Sequence, residues 1–144
     1  MKSQSIFVDT SAWVALYDSR DDNHTRATSY RDECTQERKC MVITNYILDE
    51  TYTLLLDNVG YHKTIQFRKA IENLMTGKVV ELLYVTESID KLSWEVFERF
   101  NIDKQWSFTD CTSYVIMNQH GIRDVFTFDN HFSQMGFNKK PIII

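Results

Sequence analysis

Four short runs of strand-forming residues frame this chain: SIFV (5–8), CMVIT (40–44), VVELLYV (79–85) and DVFTF (124–128). Between them lie long stretches with apolar residues at helical spacing. Helices are expected over 11–17 and, after the acidic loop DSRDDN, over a polar stretch to about Lys39. Others are expected over 45–58 with Asn45 as cap, over 62–76 closed by Gly77, from Thr86 or Ser88 past Phe100, and over 107–121. Strands separated by helices imply parallel β-α-β units with helices on both faces of the sheet. One proline and four glycines are too few for the many turns of an all-β fold. The tail PIII is expected to add a fifth strand, at an edge that tolerates Pro141. No repeat, linker or low-complexity segment interrupts residues 1–144, which are expected to form a single α/β domain.

Composition narrows the functional classes. Apolar residues at 43% and charged residues at 25% match a globular protein with a real core. A net charge of −4 argues against holding nucleic acid by broad charge attraction. Any such role must rest on a local basic patch or on bound metal ions. Three cysteines with no C-x-x-C pair, and four scattered histidines, point to neither a zinc site nor a disulfide framework. A reducing cytoplasm is the expected setting. Asp9 interrupts any signal core near the N-terminus, and no apolar run approaches the roughly 20 residues needed to cross a bilayer.

The acidic residues are unusually placed. IFVD and FTFD each end a strand in a carboxylate, so Asp9 and Asp129 are expected on one edge of the sheet, where ligands of parallel sheets bind. Each has an ordinary alternative. Asp9, with Thr10 and Ser11, suits a helix cap, and DNH after Asp129 suits a turn. Glu50 has Tyr46, Ile47, Thr53 and Leu54 as its helical neighbours, which places it in the stripe facing the core. An unpaired carboxylate there costs several kcal/mol, so it needs a cation, an Arg or Lys partner, or a proton. Its neighbour Asp49 fits a solvated face. SFTD matches a capping box in which Ser107 and Asp110 cap the last helix reciprocally. Asp103, in the loop upstream, is a weaker candidate for the same cluster.

Taken together, the acids favour one explanation. Two carboxylates ~4 Å apart repel by roughly 4 kcal/mol at an effective dielectric of 20. Four converging on one crevice require a counter-charge. An all-oxygen donor set selects a hard cation, Mg²⁺ or Mn²⁺, which lowers the pKa of bound water and screens an attacked phosphate.

With these segments in hand, the chain resembles the PIN-domain ribonucleases, and among them the toxins of VapBC-type toxin–antitoxin pairs. VDTSAW, ILDETYTLL, SFTDCTSYVIM and FTFDNHF match the four family motifs in order, carrying Asp9, Glu50, Asp110 and Asp129. The resemblance implies a three-layer α/β/α fold on a mostly parallel sheet of four to five strands. It also implies Mg²⁺- or Mn²⁺-dependent cleavage of RNA, a homodimer, and in many cases an antitoxin laid over the acidic site. Asp9, Glu50 and Asp110 would hold the main ion, and Asp129 a second ion or the attacking water. Thr10 or Ser11 would hydrogen-bond a ligating carboxylate or a phosphate. Arg20, Arg26, Arg31 and Lys39 are possible backbone contacts, with a solvated face as the ordinary alternative. The three tryptophans are expected in the core.

Two rivals stand beside this. A haloacid-dehalogenase-type phosphatase also opens on a strand ending in Asp, but needs a second Asp two positions later, where this chain has Ser11. A catalytically silent PIN-like RNA-binding or scaffold module would ordinarily have lost one of the four acids, and all four are present.

Overall fold

The strand at residues 5–8 can be buried on both faces because its side chains are apolar on both. Ile6, Phe7 and Val8 are each fully buried at the centre of the sheet. The structure, a computed structural model describing residues 4–142, runs β1 (Ser5–Val8), α1 (Thr10–Tyr17), α2 (His24–Gln36), β2 (Cys40–Thr44), α3 (Asn45–Val59) and α4 (Tyr61–Thr76). It continues with β3 (Val80–Leu83), α5 (Glu87–Phe100), α6 (Phe108–Gln119), β4 (Asp124–Phe126), α7 (His131–Gln134) and β5 (Asn138–Lys140). The five strands lie in the order β3-β2-β1-β4-β5, and every neighbouring pair is parallel.

That order fixes the layers. The chain steps outward from β1 to β2 and β3, then returns across β1 to place β4 and β5 on its other side. Right-handed crossovers put α1–α4 on one face and α5–α7 on the opposite one, and the helices pack mostly within those two groups, with α3 also touching α6. The expected three-layer α/β/α architecture is therefore present. Phe67 centres the first face, buried among the rings of Trp13, Tyr17 and Tyr52 at 4.9–6.0 Å. Phe7 and Phe132 meet at 6.4 Å on the second.

Several element boundaries differ from expectation for local reasons. Thr44, and not Asn45, caps α3, its hydroxyl accepting from the Ile47 amide at 3.1 Å. Asn45 instead accepts from the Val85 amide at 2.7 Å and secures the chain leaving β3. β4 stops at Phe126, because the Thr127 hydroxyl accepts from the Asp129 amide and starts a turn. The fifth strand is the polar segment Asn138–Lys140, not PIII. Pro141 has no N–H to continue a ladder, residues 141–142 lie outside the strand, and Ile143 and Ile144 lie outside the described residues. Trp13 and Trp106 are core as expected, but Trp94 is 52% exposed. Among the described residues no helix is long and apolar enough to cross a membrane.

Candidate active site

The sheet reverses its direction of growth between β1 and β4. Such a switch point opens a crevice beyond the carboxyl ends of the two strands. Asp9 follows β1 there, and Asp129 stands three residues beyond the end of β4. The Asp9 amide donates to the Phe126 carbonyl at 3.0 Å, which joins the two strand ends directly. Glu50 arrives from α3 and Asp110 from the first turn of α6. All four line one cleft of about 660 Å³, together with Thr10, Ser11 and His131. The four carboxylates that the sequence singles out thus line one cleft, and among the described residues it is Asp110 and Asp129, with His131, whose ligand atoms come within 4.8 Å of one another.

Asp9 occupies the position of a helix cap without acting as one. Its carbonyl accepts from the Ala12 and Trp13 amides, but its carboxylate makes no cap hydrogen bond. The Ser11 hydroxyl (3.1 Å) and the Thr127 hydroxyl (2.9 Å) both donate to its Oδ2. Those hydroxyls in turn accept from the Phe128 and Asp129 amides at 3.0 Å each. Two backbone amides beyond β4 therefore orient the carboxylate beyond β1. The group is only 4% exposed. Burial is the main cause pushing its pKa from 3.8 up to about 7, and the charges of Asp110 and Glu50 add to the rise. The Thr127 hydrogen bond works in the opposite direction.

Asp110 combines the expected capping role with a place in the cleft. It closes the capping box, accepting from the Ser107 amide at 3.1 Å while the Ser107 hydroxyl accepts from its own amide at 3.0 Å. The same Oδ2 lies 2.8 Å from Nδ1 of His131. Asp129 combines a turn with a place in the cluster, since its Oδ1 accepts from the His131 amide at 2.9 Å and lies 3.4 Å from His131 Nδ1. Glu50 is half-buried, and among the described residues no Lys or Arg pairs with it, so a structural salt bridge does not account for its position. Asp49 is exposed, as expected. Asp103 does not line the cleft and pairs with Lys104 at 3.5 Å.

The candidate basic contacts lie elsewhere. Arg20 reaches the Asn58 carbonyl and Arg26 reaches Asn23. Arg31 pairs with Asp32, Lys39 pairs with Glu37, and none of the four lines the cleft. Sequence reasoning missed two residues. Thr127 sits within FTFD, where its hydroxyl looked like strand composition. His131 follows Asp129 by two positions, and that Asp-x-His spacing at a strand end was the available signal.

The donor set fits a divalent ion. Asp110, Asp129 and His131 each offer a ligand atom, all within 4.8 Å of one another. The Thr10 hydroxyl, buried at the cleft, has no hydrogen-bond partner among the described residues.

A PIN domain profile matches residues 6–138. The chain belongs to the PIN domain family. Within the family it stands with the VapC ribonucleases. It is 32% identical over 132 residues to the 23S rRNA-specific endonuclease VapC20 of Mycobacterium tuberculosis, across 92% of this chain and 95% of that protein. It is 25% identical over 127 residues to a VapC ribonuclease of Archaeoglobus fulgidus, across 88% and 78% of the two chains. The crystal structure of M. tuberculosis VapC20, described as a Sarcin-Ricin loop cleaving toxin, superimposes with a TM-score of 0.80 at 30% identity, over 92% of this chain and 95% of that one. FitAB bound to a DNA fragment gives a TM-score of 0.66 at 16% identity, over 93% and 92%, a likeness of fold alone.

Proposed function

We propose that this PIN-domain protein is a divalent-metal-dependent endoribonuclease, the toxin of a VapBC-type pair, with all 144 residues acting as one domain. The observation that carries the proposal is that Asp9, Glu50, Asp110 and Asp129 all line one cleft at the switch point, where burial makes the Asp9 carboxylate costly to ionise. Asp9, Glu50 and Asp110 would hold Mg²⁺ or Mn²⁺, with Asp129 and His131 at a second position or on the attacking water. A bound ion would supply an acidified water and charge screening for the phosphate under attack. The chain's own residues prepare that chemistry. Ser11 and Thr127 fix the Asp9 oxygen, Ser107 fixes Asp110, and the short His131–Asp110 contact holds a nitrogen donor beside both strand-end and helix-start acids.

The VapC20 relatives make 23S ribosomal RNA the first substrate to assay. A cognate antitoxin, a homodimer and a cytoplasmic location are the expected setting, drawn from the family. The deciding experiment incubates purified protein with ribosomal RNA in Mn²⁺, in EDTA, and with Asp9→Asn in Mn²⁺. Cleavage in the first condition alone supports the proposal. Equal cutting by the variant from a nuclease-free preparation removes the site assignment. Cutting in none of the three favours a silent RNA-binding module.

A further inference from the structure

The carboxylates that would bind metal repel the substrate they are meant to cut. An RNA strand entering a cleft with four acids must be held by something else in that cleft. The end of α5 and the loop to α6 contribute Phe97, Asn101, Lys104, Gln105 and Trp106 to the same cleft. Lys104 is the only Lys or Arg among the described lining residues.

The loop is braced at both ends. The Asn101 side chain donates to the Trp106 carbonyl at 2.9 Å and accepts from the Trp106 amide at 2.8 Å, closing the loop as a strand pair would. Trp106 itself is buried, packs on Phe100 at 5.1 Å, and donates its indole N–H to Gln134 at 2.9 Å. Lys104 is thus presented from a fixed frame. Its contact is Asp103 at 3.5 Å, an exposed acid whose hold in water is weak. The Phe97 ring lines the same cleft and is stacked at 5.2 Å and 15° on Trp94, whose indole stays half in solvent. A cation and a supported aromatic ring in one cleft are what an unpaired nucleotide needs: one contact for its phosphate, one for its base.

We propose that the α5–α6 corner is the RNA-holding wall, with Lys104 taking a backbone phosphate next to the scissile one and Phe97, backed by Trp94, stacking an unpaired base. This rests on the ribonuclease proposal and adds to it the two side chains that would hold the RNA beside the acids. The contact is sequence-tolerant, because every base has a π-face.

The test measures binding of a short fluorescein-labelled single-stranded RNA by anisotropy across a salt series. Asp9→Asn serves as the background, to prevent cleavage. Lys104→Gln is expected to lower the slope of log affinity against log salt by about 0.7, one single-strand phosphate contact, and Lys104→Arg to restore it. Phe97→Leu is expected to weaken binding roughly tenfold at every salt concentration with the slope unchanged. The same substitutions in the otherwise unaltered chain are expected to keep the Mn²⁺-induced rise in Tm. An unchanged slope in Lys104→Gln, or affinity within about twofold in Phe97→Leu, overturns the assignment. So does loss of the Mn²⁺ response in either variant, which would mean that the residue acts through the carboxylates. If the unaltered protein cuts RNA while these variants bind normally, only the wall is wrong. If it neither binds nor cuts any RNA, the proposed function itself has failed.

Discussion

Replacing Asp9 by Asn is expected to make the metal-free protein more stable at pH 8 while destroying its activity. Asp9 is 4% exposed, and its folded pKa is pushed from 3.8 to about 7. A rise of that size means that ionised Asp9 costs the fold roughly 4 kcal/mol relative to its neutral form. The sign follows from proton binding. Between about pH 4 and 7 the folded state holds a proton that the unfolded state has released, so stability falls with pH through that window. The penalty is absent below the unfolded value and complete above pH 7. An amide carries no charge but brings two N–H donors into the buried site, at a cost of about 1.5 kcal/mol. The net gain at pH 8 is then roughly 2 to 3 kcal/mol, or about 6 to 9 °C in Tm for a chain of this size. Near pH 5 the remaining penalty is only about 1.5 kcal/mol, so the two proteins should melt together. Thermal melts in EDTA at pH 5 and pH 8 provide the assay. Adding Mn²⁺ at a hundredfold excess over its dissociation constant should stabilise the parent by about 2.7 kcal/mol and the variant much less. An Asp9→Asn protein no more stable than its parent at pH 8, or equally advantaged at both pH values, would refute the burial reasoning.

Three further outcomes are expected. Glu50→Gln should abolish metal-dependent RNA cleavage without loss of fold, as judged by circular dichroism and a gel-based cleavage assay. Ser107→Ala removes the hydroxyl that caps α6 and should cost about 1 kcal/mol, or about 3 °C in Tm, while leaving the Mn²⁺-induced shift in place. His131→Ala should weaken Mn²⁺ binding by roughly 10- to 100-fold in calorimetry, because it removes both a nitrogen donor and the partner that orients Asp110.

The fold was legible because its signals are local. Short apolar runs and helical spacing identify β1, β2, β3 and β4, and Ser107 and Gly77 mark helix ends by their own chemistry. β5 was not legible, because Asn138–Lys140 is a strand only through its pairing with β4, which a polar sequence does not announce. The site was legible as residue types and not as roles. A cap and a metal ligand call for the same residue at the same place, and the Thr127 hydroxyl that bonds the Asp9 carboxylate lies 118 positions away, beyond any local pattern. Asp110 closes the capping box of α6 and still presents an oxygen to His131 in the cleft, so a capping residue can also face the site. Trp94 and Phe97 share a helix and a spacing, and periodicity cannot tell the rim of a cleft from the interior. Lys104 sits in a loop whose shape depends on the Asn101 clamp, a contact that leaves no pattern in the sequence.

The magnitudes also separate capping from metal binding as the reason for Asp9. It stands at the N-terminus of α1, where the helix dipole favours an anion by about 0.3–1 kcal/mol, and by about 2 at most when partly buried. The Thr127 hydroxyl and the Thr10 backbone already act on the value of about 7, and both lower it. A cap that leaves its residue with a pKa near neutrality has not repaid the cost of burying it. At pH 8 the shortfall of roughly 4 kcal/mol is what a divalent ion contributes by binding only the folded state at about a thousandfold excess over its dissociation constant. Asp110 and Glu50 enlarge that shortfall and would also share the ion that removes it. The features that make this cluster expensive without metal are therefore the ones that would make its folded state respond strongly to metal. A simple helix cap at the same position would show no such response.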